Sequence, residues 1–117
     1  MAQLTPELSS IIDGFSAQIP GLYLWAYETD RKVELKEIKV PPEQRNQGLG
    51  GQIIEAIKDY ARRVGKPVVL SPQPEFGKKK ALDRFYRNHG FVYNRGRNKD
   101  YEISSFFGPT MYWRPTQ

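Results

Sequence analysis

The sequence predicts a mixed α/β fold, with helices packed on a single mixed sheet, and three observations support this class. Three segments carry apolar residues at helical spacing, and short β-type segments alternate with them along the chain. At 117 residues, with 38% hydrophobic and 13% aromatic residues, the chain has the size and composition of one globular domain. Neither internal repeats nor linker-like stretches divide it, so residues 1–117 are predicted to form a single domain.

The N-terminal half of the sequence predicts one helix followed by two paired strands. Thr5-Pro6-Glu7 combines a helix cap, a proline at the first helical position and an acid in the first turn. This helix should end between Gly14 and Pro20. Residues 22–27 and 33–40 have the strand pattern and are separated by a polar turn, which predicts an antiparallel pair. Pro41-Pro42 ends the second strand because proline removes ladder donors.

The C-terminal half predicts two further helices and three further strands. The first helix follows the glycine-rich Gly48–Gly51 segment and ends at Gly65, and the short apolar strand Val68–Leu70 comes next. Another helix runs from near Lys78 to Gly90. The closing strands are expected at 91–93 and within the aromatic tail 106–113, joined by the polar segment 94–104.

Composition excludes several classes of chemistry. The chain has no cysteine and one histidine, which excludes disulfides, thiolate metal sites and a cysteine nucleophile and leaves little to build a zinc centre. The longest nearly continuous apolar run, Leu22–Tyr27, is too short to span a bilayer, and the N-terminus lacks a basic region followed by an apolar core. We therefore expect a cytoplasmic protein without a metal or a membrane partner.

Positive charge is concentrated in one stretch of the sequence. The formal net charge is +5, yet residues 76–99 hold eight basic residues against the single acid Asp83, a local charge of +7. Nucleic acid, a polyanionic cofactor or an acidic substrate would each exploit such a field. Charge alone does not choose among them.

The segment Arg45–Gly50 lies between a predicted strand and a predicted helix. At such a junction, free backbone N–H groups and the positive end of the helix dipole can receive a phosphate, and glycines let the backbone approach it. The segment has neither the Walker pattern nor the spacing of a Rossmann dinucleotide loop. Its alternative interpretation is an ordinary glycine-rich turn from strand to helix.

Two motifs that follow one another along the chain carry a specific resemblance to a known family. Residues 38–50 resemble motif A of the GNAT acetyltransferase superfamily, a hydrophobic strand followed by [QR]-x-x-G-x-[GA]. Residues 81–91 are similar to its motif B through Phe85-Tyr86 and Gly90-Phe91. The resemblance covers roughly Val33 to Phe91 and implies a compact variant of the GNAT-like acyl-CoA N-acyltransferase fold. It implies transfer of an acetyl group from acetyl-CoA to an amine by direct attack. A narrower similarity, to small acetyltransferases of bacteriophages and mobile elements, rests on 70–72, 96–104 and 111–115.

The resemblance also implies which residues hold acetyl-CoA. The strand before the glycine-rich segment should pair with the pantetheine arm, and amides from Gln47 to Gly51 should hold the pyrophosphate, with Arg45 adding positive charge. Splayed strands would open a slot for the acyl thioester between Val40 and Leu70. The implied cofactor-binding residues are Ile38, Lys39, Val40, Arg45, Asn46, Gln47, Gly48, Leu49, Gly50 and Gly51.

Two catalytic residues follow from the same resemblance. Tyr86 falls on the motif B tyrosine, whose proposed role is to protonate or hydrogen-bond the departing thiolate, and its alternative is a core aromatic. Glu34 lies where several relatives carry a general base, although a solvated strand glutamate is the alternative. Glu37, which strand alternation places on the opposite face, and a water chain remain other routes for the proton.

The acceptor side is the least constrained part of the site. Ser71, Arg97 and Asn98 are candidate substrate-binding residues, although a serine before proline is also a turn former and 94–99 also fits a solvated loop. Lys78 stands where the family often has asparagine, and a lysine there could meet a cofactor phosphate.

Two other functions are alternatives to an acetyltransferase. The chain could be a binding module that keeps the fold and the acyl-CoA but lacks turnover. It could also bind nucleic acid through the basic stretch at 76–99, which we rank lower because no recognition helix is apparent. The expected partners are therefore a coenzyme A thioester and a small-molecule or peptide amine, with a homodimer possible.

Overall fold

The computed structural model describes residues 5–44, 47–72, 77–96, 99–100, 103 and 109–115, and it has the predicted mixed α/β architecture. A 3-10 turn at Pro42–Gln44 separates the second strand from the second helix. In chain order the elements are α1 (Pro6–Gln18), β1 (Tyr23–Glu28), β2 (Val33–Lys39), α2 (Leu49–Val64), β3 (Val68–Leu70), α3 (Lys79–Asn88), β4 (Val92–Tyr93) and β5 (Met111–Trp113).

The start of α1 and the end of α2 lie where the capping residues in the sequence predict them. The Thr5 hydroxyl accepts a hydrogen bond from the Leu8 N–H and so caps α1, as the Thr-Pro-Glu sequence predicts. Gly65 ends α2 in the left-handed conformation, with φ of 72°, and its N–H bonds back to the last turn. Both helix boundaries therefore depend on one or two residues that are visible in the sequence.

The sheet has five strands in the order β1-β2-β3-β5-β4. Among the described strand pairs, the β2–β3 pair alone is parallel, and its pairing runs from Val33↔Val68 to Leu35↔Leu70. Strand β2 continues to Lys39, whereas β3 ends at Leu70, just before Ser71-Pro72. The sheet therefore opens between the second half of β2 and the end of β3, where a slot is predicted.

A β-bulge in β2 changes the direction of its side chains. In the β1–β2 pair, Trp25 lies opposite Glu37 whereas Ala26 lies opposite Leu35, so Lys36 is the extra residue. Glu34 lies opposite Tyr27, which shares a face with Trp25. The prediction that Glu34 and Glu37 occupy opposite faces is therefore wrong, because the bulge restores them to the same face.

The hydrophobic core lies between the helices and one face of the sheet. Its sheet side carries Ala26 and Leu35, and the helices add buried aliphatic side chains and the aromatic ring of Tyr86. Tyr60 of α2 and Lys66 both bond to Glu28, a buried carboxylate at the end of β1. This pairing satisfies the charge that β1 brings into the core. The largest fully buried side chains include Phe91, Leu8, Ile53, Ile54, Ile57 and Met111.

Candidate functional site

The open part of the sheet is one end of a groove. A cavity of about 510 Å³ lies between the second half of β2, the end of β3 and α3. A second cavity of about 390 Å³ lies at the start of α2. The two share five lining residues and so form one continuous groove; the shared residues are Ile38, Val40, Leu82, Phe85 and Tyr86.

The first end of the groove is the N-terminus of α2. Gly48 precedes the helix in the left-handed conformation, with φ of 75°, and no side chain among the described residues caps the helix there. The first-turn N–H groups are therefore left to solvent or to a ligand, and the helix dipole favours an anion at this end. Gly48, Leu49, Gly50 and Gly51 all line the second cavity, as the phosphate-loop prediction requires. Gln47 is exposed, and Arg45 and Asn46 lie outside the described residues.

Glycines also let α3 approach the first turn of α2. A Cβ atom at Gly50 would lie 3.4 Å from the Phe85 ring, and one at Gly51 would lie 3.3 Å from Nε2 of His89. The His89 ring is fixed by Glu55, whose Oε2 is 2.7 Å from Nδ1. That hydrogen bond is the main reason that the pKa of Glu55 lies below its ordinary value. The contact between the two helices is thus tightly packed beside the N-terminus of α2.

Tyr86 lies in the wall that both cavities share. Its side chain is buried and packs edge-to-face on the rings of Phe85 and Phe91, with centroids 5.2 and 5.9 Å away. Burial raises the pKa of its phenol to about 12, so the hydroxyl keeps its proton at neutral pH. Tyr86 therefore packs in the core, as the core-aromatic interpretation expects. It also presents a protonated phenol in the groove wall, as the catalytic interpretation requires.

Glu34 is not among the residues that line either cavity, and it is held by several polar partners. It is 4% exposed, and its two carboxylate oxygens lie 2.7 Å from Lys32 Nζ and 3.4 Å from Lys36 Nζ. Burial, together with the charge of Glu34 and a hydrogen bond to it, raises the pKa of Tyr27 to about 12. Glu37, by contrast, is exposed and lines the groove beside Ile38, Lys39 and Val40.

The second end of the groove is formed by the residue that follows β3. Ser71 lines the larger cavity beside Leu70, and Lys78, at the start of α3, lines it too. Arg97 and Asn98 lie outside the described residues. Among the described residues on either side of them, the Asn94 side chain bonds to the backbone N–H and C=O of Asp100 at 2.8 and 2.7 Å.

Several groove residues were not singled out from the sequence, among them Leu82, Phe85 and Lys36. Leu82 and Phe85 form the wall opposite β2, and Lys36 lies at its bulge. The helical spacing of Leu82 and Phe85 showed only that they face inward, because periodicity does not distinguish a core contact from a cavity wall. The charged residues around Lys36, two lysines and two glutamates, do not indicate a bulge.

Within residues 5–44, 47–72, 77–96 and the short described segments after them, no histidine and carboxylate cluster could hold a metal ion. None of the helices in those same segments has the length and apolar character needed to cross a bilayer.

Comparison with known proteins agrees with the fold. The sequence profile described as "Acetyltransferase (GNAT) domain" matches residues 13–93. The crystal structure of the anti-CRISPR protein AcrVA5 is similar with a TM-score of 0.60 and 29% identity, covering 81% of this chain and 92% of that one. None of the curated proteins matches the chain.

Two more distant structures resemble the fold alone. A GNAT-family acetyltransferase from Staphylococcus aureus Mu50 has a TM-score of 0.59 and 16% identity, covering 95% of this chain and 77% of that one. Ard1 from Thermoplasma volcanium has a TM-score of 0.57 and 16% identity, covering 92% of this chain and 80% of that one.

Proposed function

Because this chain belongs to the acetyltransferase (GNAT) family, we propose that it is an N-acetyltransferase that transfers an acetyl group from acetyl-CoA to an amine. The observation that carries the proposal is the continuous groove from the N-terminus of α2 to the end of β3, with Tyr86 in its wall. An elongated donor with an anionic end and a reactive end fits a groove of this shape.

The groove suits coenzyme A at both ends. The uncapped N-terminus of α2 offers N–H groups to the pyrophosphate, and Gly48 leaves open space beside it, with no atom within 4 Å of an added Cβ. The pantetheine arm would follow Ile38, Lys39 and Val40, where β2 has continued beyond β3. When bound, acetyl-CoA supplies an acyl group activated as a thioester.

The residues of the groove wall can assist the departure of the thiolate. In direct attack, the amine nitrogen bonds to the acyl carbon, the C–S bond breaks, and the sulfur leaves as a thiolate that needs a proton. Tyr86 holds a proton at neutral pH and lies in the wall common to both cavities. Its phenol is the donor that we assign to this step.

The proton lost by the amine needs a base, directly or through water. Glu37 lines the groove and is exposed, whereas Glu34 is buried on the same face and paired with Lys32 and Lys36. We keep both carboxylates in the proposal. Parallel pH–rate profiles of Glu34→Gln and Glu37→Gln separate them, because the base variant loses the acidic limb and the other retains it.

The setting of the reaction is part of the same proposal. We propose that the protein belongs with the small acetyltransferases of bacteriophages and mobile elements, and the similarity to an anti-CRISPR protein at 29% identity is in line with this. We also propose that it acts in the cytoplasm. The acceptor is a small-molecule or peptide amine. We place Arg97 and Asn98 on the acceptor side and the basic stretch at 76–99 near anionic groups of the cofactor or acceptor.

The experiment that tests the proposal is a screen of amines, peptides and nucleotides for thiol release from acetyl-CoA, with calorimetric binding of acetyl-CoA measured first. Acceptor-dependent thiol release that is lost in Tyr86→Phe supports the enzyme. Absence of acetyl-CoA binding refutes it.

One specific observation favours a second candidate, a binding module without turnover. Glu34, at the position of the family's base, is engaged by two lysines and a tyrosine. Tight acetyl-CoA binding with no thiol release across the whole screen would select this candidate.

A further inference from the structure

The side chain of Ser71 is an exception among the described polar groups. Its hydroxyl oxygen exposes less than 1 Å² to solvent and has no hydrogen-bond partner, and no other buried side-chain nitrogen or oxygen in the described part of the chain shares this state. Buried hydroxyls nearly always find a partner, since leaving one unpaired destabilises the fold. An exception of this kind calls for a physical explanation.

The position of Ser71 supplies one. The residue follows Leu70, the last β3 residue paired with β2, and it lines the larger cavity. Polar groups at the base of a ligand cleft are often unpaired until the ligand arrives. The serine also sits at the end of the groove remote from Gly48, because the cavity that contains Gly48 does not include Leu70 or Ser71.

Distance along the groove identifies the part of the ligand that reaches Ser71. With the pyrophosphate at α2, the arm runs back along β2 from Val40 toward Leu35, a path of about 17 Å at 3.3 Å per residue. Leu35 pairs with Leu70, so the end of that path lies beside Ser71. The group that arrives there is the thioester, whose carbonyl oxygen is a hydrogen-bond acceptor.

We propose that the Ser71 hydroxyl donates a hydrogen bond to the acyl carbonyl oxygen of the bound thioester. This inference rests on the proposed function and changes the expected role of Ser71 from an acceptor-side residue to a donor-side one. The hydrogen bond orients the carbonyl for attack and favours the charge that develops on its oxygen as the amine adds. It also lets the site distinguish acyl-CoA from free coenzyme A, which lacks that oxygen.

Charged neighbours in the groove do not replace Ser71 in this role. Lys78 and Lys36 line the same cavity, but both are exposed and carry long side chains with many rotamers, and Lys36 is paired with Glu34. A buried hydroxyl on a fixed backbone position is better preorganised, because little conformational freedom is lost when it bonds. Tyr86 lies across the groove on α3 and is assigned to the sulfur rather than to the oxygen.

The test compares two ligands and two variants. Calorimetry measures the dissociation constants of acetyl-CoA and coenzyme A for the wild type, Ser71→Ala and Thr29→Ala, and thermal unfolding is recorded without ligand. Thr29 is the control because its hydroxyl is partnered, accepting bonds from the N–H groups of Arg31 and Lys32 at 3.2 Å. Removing it should lower the melting temperature and leave both affinities unchanged.

The proposal expects a selective effect in Ser71→Ala. Acetyl-CoA affinity falls by roughly three- to tenfold, the size of one neutral hydrogen bond, while coenzyme A affinity changes less than about twofold. The melting temperature of the free protein does not fall, because the lost hydroxyl had no partner to lose.

Three results overturn the proposal. Equal weakening of both ligands would place Ser71 on the pantetheine arm, and unchanged affinity for both would remove it from the site. A melting temperature lowered as in Thr29→Ala, with no ligand selectivity, would make it a turn former. Failure of the wild type to bind either ligand would instead refute the proposed function, and this inference with it.

Discussion

The anion-binding end of the groove can be tested by adding one methyl group at Gly48. This glycine has φ of 75°, and a Cβ there meets no atom within 4 Å. Gly48→Ala therefore costs only the strain of a left-handed alanine, about 1–2 kcal/mol. A domain of this size is stable by about 5–15 kcal/mol, so the variant remains folded.

The same helix supplies a matched control at its other end. Gly65 has φ of 72°, and a Cβ there also meets no atom within 4 Å. It lies about 25 Å from Gly48 along the helix, at 1.5 Å per residue, and outside both cavities. The two alanine variants should lose similar stability, roughly 3–10 °C in melting temperature for a chain of this length.

Only Gly48→Ala should lose affinity for coenzyme A. The added methyl group occupies the space where the pyrophosphate approaches the first-turn N–H groups, so calorimetry should show at least a tenfold rise in dissociation constant, or about 1.4 kcal/mol. Wild-type affinity in a folded Gly48→Ala protein would refute the assignment of the pyrophosphate to this turn. An equal loss in Gly65→Ala would show that general destabilisation, rather than the site, explains the effect.

Three further predictions concern the phenol, one ion pair and the basic stretch. Tyr86→Phe keeps the ring contacts and coenzyme A affinity but lowers turnover by about 10²–10⁴-fold, the range for general acid assistance; a loss below roughly threefold would leave Tyr86 a packing residue. Because the pKa of Tyr86 is about 12, wild-type activity should show no alkaline limb from this group below about pH 11. The pKa of Glu55 is lowered from 4.5 mainly by His89, so its stabilising effect is present above pH 4.5 and is lost as the pH falls through the lowered value. The melting-temperature difference between wild type and Glu55→Gln should therefore shrink below pH 4.5, and a constant difference would contradict this. The stretch 76–99 should not bind duplex DNA tightly at physiological salt, and binding that coenzyme A competes poorly would reverse the ranking of functions.

Local signals predicted the elements that position the anion-binding end. The glycines at 48–51 and at 65 mark both ends of α2, and each reflects a backbone requirement that only a few residues can meet. The apolar periodicity of α2 predicted the helix between these ends, because its buried residues recur at helical spacing. The strand pair before it was also predicted, to within a residue at each end.

Long-range pairings were not accessible from the sequence. Glu28 lies one residue beyond the predicted strand 22–27, where a polar turn was expected. It is buried nonetheless, and Tyr60 and Lys66 bond to it from 32 and 38 positions away. Nothing within the strand specifies such partners. The bulge at Lys36 was missed for a related reason, because the register of β2 depends on its partner strand β1. A shift of one residue in that register moves the following side chains of β2 to the other face of the sheet.

The bulge and a proline together explain why the sheet opens where it does. Pro72, two residues after Leu70, has no N–H to donate, so it cannot extend the β3 ladder as a central-strand residue could. Bulges bend a strand and increase its twist, and Lys36 is the first β2 residue beyond the paired segment. The parallel pairing thus ends on both strands at one level, which leaves the edge of β2 from Lys36 to Lys39 facing a cavity rather than a neighbouring strand. An extended ligand is the element that can complete this edge, and Ser71 lies at the point where such a ligand would end.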